Sequence, residues 1–167
     1  SIAQRMVAGG AAVVVLWQLS RTDDYLGLGV PVILRAFTDP ALDPFAFAWK
    51  LVLTAVTVGS GFLGGEVTPL FFIGATLGNA LASPLGLPLD LAAGLGLAAT
   101  FGAAANAPVA LAIMFGELFG TDAIQHALAV ALIASLVKGR RSIYPGQFAP
   151  PPPAGARPCT AATFSKP

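Results

Sequence analysis

The sequence predicts an all-α integral membrane protein built of short, broken helices, and three observations carry that reading. First, 56% of the 167 residues are hydrophobic and only 10% are charged, with a mean hydropathy of +0.78, whereas soluble domains carry roughly 25% charged residues. Second, the deficit is concentrated: residues 51–121 contain three charges, Glu66, Asp90 and Glu117. A water-soluble surface cannot be covered with so few. Third, glycine and proline cut the apolar stretches into pieces, several shorter than the roughly 20 residues that a straight span requires.

Taken in order, Ile2–Ser20 is an apolar segment of about one bilayer length, with Arg5 near its start and Arg21-Thr22-Asp23-Asp24 at its end. Its Gly9-Gly10-Ala11-Ala12 run suits close helix packing in lipid. A weaker segment covers Leu28–Phe37, followed by a turn with Asp39-Pro40 and Asp43-Pro44. Phe45–Val58 is the next helix. It leads into Gly59-Ser60-Gly61-Phe62-Leu63-Gly64-Gly65, too rich in glycine to stay helical. Pro69–Ser83, Leu91–Ala105, Pro108–Phe119 and Asp122–Lys138 complete the set. Val30-Pro31, Thr68-Pro69 and Ala107-Pro108 place proline in a first helical turn, where its missing N–H costs nothing. Short helices broken by glycine are the pattern of transporters whose helix ends meet near mid-membrane; kinked or tilted spans are the alternative. Residues 149–167 are a Pro-rich polar tail, expected to be disordered and separate from the membrane region, 1–148.

A net charge of +1 excludes the basic footprint of a nucleic-acid binder. One cysteine, Cys159, builds neither a disulfide framework nor a thiolate metal site, and no metal or cofactor is expected. His126, the single histidine, reads as a packing or interface residue. The chain starts at Ser1 with no basic segment before its first apolar stretch. This argues against a signal peptide and for a piece of a longer protein. Lys138, Arg140 and Arg141 follow the last long helix, and such clusters stay on the cytoplasmic side, which puts the C-terminus inside.

The chemistry concentrates in Gly59–Ala82. There a glycine loop delivers Glu66-Val67-Thr68-Pro69 to a helix start, where free N–H groups and the helix dipole favour an anion. Glu66 is the anomaly, because a carboxylate in an apolar span is expensive and usually functional. A capping role competes with that reading. Glu117, flanked by Gly116 and Gly120, raises the same question and reads as structural.

GGEVTPLFFIGATLGNALA resembles the segment of CLC chloride channels and transporters that commonly reads GGxFxP before a glycine-punctuated helix. NAPVALAIMFGELFG (106–120) is similar to the family's next helix with an Ala-Pro opening and late glutamate, and GRRSIYPGQ (139–147) to the region that brings a tyrosine to the anion pathway. The three occur in the family's order, and the similarity spans 2–147. Val67 stands where the family usually has Phe, and GGEVTP resembles the branch that exchanges fluoride for protons.

The resemblance implies the second of two inverted-topology repeats plus the final helix, within a homodimeric transporter of the cell membrane. It implies fluoride or chloride as the anion, exchange against protons, and an anion site at Gly65, Glu66, Val67, Thr68 and Tyr144. Helices 108–119 and 122–138 would form part of the dimer interface, a natural place for His126. The first repeat, with the gating glutamate, is absent from this chain. Two other readings stay open: a membrane-embedded enzyme using Glu66 or Glu117 as acid or base, which lacks the second acid, metal ligands or nucleophile such chemistry requires, and a truncated fragment without transport activity.

Overall fold

The structure, a computed structural model, describes residues 2–62, 64–138 and 143. Its helices are α1 (Ile2–Ser20), α2 (Val30–Arg35), α3 (Ala46–Gly59), α4 (Val67–Leu85), α5 (Leu89–Ala105), α6 (Pro108–Phe119) and α7 (Asp122–Lys138). No strand occurs among the described residues. Among them, no helix is long and apolar enough to cross a membrane. That includes α1, which the sequence predicts at about one bilayer length: its 19 residues mix Gln4, Arg5, Gln18 and Ser20 with the apolar ones. The tail from 149, Arg140, Arg141 and Tyr144 lie outside the described residues.

α1, α6 and α7 begin and end where the sequence places them. α2 is shorter than expected, six residues entered through the left-handed Gly29. α4 differs most instructively: it starts at Val67, two residues before Pro69, and runs past Ser83 through Pro84 to Leu85. Proline is harmless at either end. At the third helical position its N–H would have no intrahelical partner, and in the final turn only one bond is lost. Gly86 then closes the helix in the left-handed region, with Leu87 N–H donating to the Ala82 carbonyl at 3.0 Å, the closure expected of glycine at this position.

Two cores flank α4. One gathers Tyr25, Val32, Ala46, Leu53 and Phe72, with Trp49 and Leu16 packed against it. The other gathers Leu97, Ala98, Phe115 and Ala127, with Phe71 and Met114 against it. Phe71 and Phe72 are neighbours about 100° apart on the helix, so α4 sends one ring into each core. α5 packs against α4, α6 and α7, while α1 meets α3. The closest approach is between α4 and α5: a Cβ placed on Gly74 would lie 2.6 Å from the Gly96 carbonyl oxygen and 2.7 Å from the Leu97 Cα. Gly78 and Gly96 are tighter still, against the Ala92 and Gly74 carbonyl oxygens.

Candidate functional site

The glycine loop leaves α3 through Ser60, whose hydroxyl donates to the Val56 carbonyl at 2.6 Å. Gly61 at φ 93° turns the chain, and the Arg5 guanidinium of α1 donates to the Gly59 carbonyl at 3.0 Å. Both contacts hold the loop at its α3 end. A Cβ on Gly61, Gly64 or Gly65 would meet nothing within 4 Å, so the stretch leading to α4 presents bare backbone to open space.

Glu66 is the N-cap of α4, and its side chain makes no capping hydrogen bond. Its carbonyl accepts the first bond of the helix, from Leu70 N–H at 3.2 Å. Among the described residues, the capping hydrogen bond that competed for this carboxylate is not made. The N–H groups of Val67 and Thr68 occupy the first helical positions, where no intrahelical acceptor exists. Thr57, Ser60 and Thr76 spend their hydroxyls on the carbonyl four residues back. No such bond is made by the Thr68 hydroxyl among the described residues. The exposed Gly65 thus leads directly into Glu66, Val67 and Thr68, a contiguous, half-buried helix start with unspent donors among the described residues. Tyr144 falls outside the described residues.

The other ionisable groups of the apolar stretch stand apart. Asp90 is exposed in the first turn of α5, its carboxylate accepting from Leu91 N–H at 2.8 Å. Glu117 is exposed on α6, beside Gly116, whose bare Cα admits the Ile124 side chain of α7. α4 and α6 make no close backbone contact and share a core only through side chains such as Phe71 and Phe115. No group of three His, Cys, Asp or Glu capable of holding a metal occurs among the described residues. His126 is exposed on α7.

One residue was missed by the sequence reading. Lys50, in α3, is only 3% exposed. Its ammonium donates to the carbonyls of Tyr25 at 3.0 Å and Gly27 at 2.6 Å and stands 5.1 Å from the centre of the Phe72 ring. The signal was available: Ala46, Lys50 and Leu53 are spaced four and three apart, so the lysine lies on the buried stripe of its helix.

Comparison with known proteins agrees with this architecture. The sequence profile of the voltage gated chloride channel family matches residues 1–139. A chloride/fluoride channel protein of Pseudomonas syringae pv. tomato is 48% identical over 150 residues, covering 86% of this chain and 33% of that protein. An uncharacterised protein of Methanocaldococcus jannaschii is 42% identical over 76 residues, 44% of this chain and 18% of the other. The crystal structure of a CLC-type fluoride/proton antiporter superposes with a TM-score of 0.82 at 41% identity, covering 87% of this chain and 37% of that one. The chain thus spans about a third of the length of its bacterial relative and of the antiporter.

Proposed function

Because the chain belongs to the voltage gated chloride channel family, we propose that it is the C-terminal part of a CLC-type membrane transporter that exchanges fluoride for protons. The observation that carries this reading is the uncapped start of α4, where an acid and unspent donors follow a bare glycine loop. Fluoride is small and tightly hydrated, so a site for it must offer several strong donors in place of water. The N–H of Val67 and the hydroxyl of Thr68 are such donors, reinforced by the positive end of the helix. Gly65 lets the backbone approach, and Tyr144 adds a phenolic donor from the cytoplasmic side. Chloride is the alternative anion, which the same donors serve less selectively.

Glu66 links the two substrates in this reading. Ionised, it repels the anion; protonated, it donates a hydrogen bond to it. Anion occupancy then favours proton uptake, which is the linkage an exchanger needs. The chain sits in the cell membrane with its C-terminus cytoplasmic, and α6 and α7 form a homodimer contact. Support for that contact comes from the apolar surface these helices leave uncovered, including Ile113, Leu118 and Ile133, with Leu136 and Val137 at 79% and 84% exposure.

The test uses the full-length parent in liposomes, with fluoride and proton fluxes measured together for Glu66→Gln. Glutamine keeps a donor and cannot titrate. Proton coupling is expected to disappear in protein that remains folded and dimeric. Fluoride transport with its coupling intact would remove Glu66 from the mechanism.

A further inference from the structure

A cavity of 230 Å³ lies below the glycine loop, between α1, the 25–27 turn, α3 and the start of α4. Lys50, Thr54, Thr57, Gly64 and Gly65 line it, and it adjoins Glu66, Val67 and Thr68 without including them. We propose that this cavity holds a small monovalent anion against the Lys50 ammonium, as a waiting position next to the α4 site. The proposal rests on the anion-transport reading above and adds a second position to it.

The case begins with charge. Lys50 is a buried cation, and among the described residues no carboxylate pairs with it. A buried charge is ordinarily paired or liganded, because burial without compensation is costly. Here the compensation is partial: two carbonyl dipoles and the face of one ring are directed at the ammonium. All three present negative ends to the ammonium. Two of its three N–H donors are then spent, and one is left. The full positive charge remains unneutralised, and its field is strong where the surroundings are apolar.

The walls are largely apolar, with Val13, Leu53, Val58 and Phe62 among them, and a few polar groups are set into them. Thr57 has given its hydroxyl to the Leu53 carbonyl at 2.7 Å, whereas the Thr54 hydroxyl makes no such bond among the described residues. Gly64 and Gly65 bring main chain without side chains to the upper wall. At about 30 Å³ per water, the cavity has room for an anion that keeps part of its hydration shell. Such an anion can wait there and shed its last waters on moving to the stronger donors of α4. A cation would be repelled by Lys50, and a large organic anion would not fit.

The experiment titrates fluoride into the purified full-length parent by calorimetry and measures fluoride flux in liposomes for the same preparations. Lys50→Met keeps the length of the side chain without its charge; Lys50→Arg keeps the charge. Fluoride affinity is expected to fall about tenfold for the methionine variant and to stay within about threefold for arginine. Equal affinity in wild type and Lys50→Met overturns the proposal. So does an equal loss in both variants, which identifies an anchor for the 25–27 turn and not a charge for an anion. Should Lys50→Met fail to fold, Thr54→Val decides, because it removes a cavity hydroxyl at constant shape: a roughly threefold weakening is expected, and unchanged affinity overturns. Wild-type protein that neither binds nor transports fluoride would instead refute the parent reading.

Discussion

On the side of the molecule before Glu66, side chains reach across gaps to tie down irregular backbone: Lys50 to Tyr25 and Gly27, and the Tyr25 hydroxyl to Asp43 at 2.6 Å. Between α4 and α5 the opposite holds, for at Gly74, Gly78 and Gly96 nothing but hydrogen separates one backbone from the next. Asn79 stands where the two styles meet. It lies on α4 and donates to the carbonyls of Ala36 and Asp39, both at 2.9 Å, closing the far end of α2. The contrast follows from what each region must satisfy. Non-helical backbone at membrane depth needs internal partners for every carbonyl. Helices already satisfied along their own axes gain by close packing of small residues.

The comparison breaks most completely at the α4–α5 crossing. Gly96→Val in the full-length parent forces a branched side chain onto the Gly74 carbonyl and the backbone at Gly78, atoms that no rotamer change can move. Overpacking against backbone belongs with the mechanisms that cost about 4 kcal/mol or more. The expected outcome is loss of the monodisperse peak on size exclusion in detergent. A variant that purifies as wild type with an unchanged melting temperature would mean the crossing is not the close contact described.

Asn79→Ala tests the polar side. It strips the donor from one buried and one part-buried carbonyl, at a cost of about 2 kcal/mol. The loss should be local: hydrogen exchange is expected to quicken in residues 25–45, with α6 and α7 protected as before. Uniform quickening through all helices would show that the two regions do not respond separately.

Much of this was legible in advance, for reasons specific to each element. α6 and α7 announce both ends, with Pro108 opening one, Gly120 closing it and Lys138 ending the other. The Gly65–Thr68 segment is a glycine loop followed by an acid at a helix start, a pattern local in sequence. Lys50 and Asn79 were harder. Both lie on buried stripes that helical spacing reveals, Ala46-Lys50-Leu53 and Phe72-Ala75-Asn79-Ala82. Their partners, however, are carbonyls 23 to 43 residues away, and main-chain acceptors leave no mark in the side-chain sequence. The charge-poor stretch beginning at residue 51 also drew attention past the lysine immediately before it. α4 extended beyond expectation at both ends because proline was taken as its boundary, when its first and last turns tolerate it.

The smallest effect sharpens the comparison by showing what does not matter. Arg35, in the last turn of α2, pairs with Asp24 at 2.7 Å, and the two side chains are 45% and 46% exposed. The pair spans much the same loop that Lys50 secures from within, so geometry alone would rank it as another tie. Water and salt decide otherwise. An exposed pair contributes about 0.5 kcal/mol or less once side-chain ordering and solvent screening are counted, and a Debye length of roughly 3 Å at 1 M salt removes most of that. Arg35→Gln should therefore shift the melting temperature far less than Asn79→Ala at low salt, and the variant and wild type should coincide at 1 M sodium chloride. If Arg35→Gln instead matched Asn79→Ala and the gap persisted in salt, burial would not be what separates a tie that holds the loop from one that merely touches it.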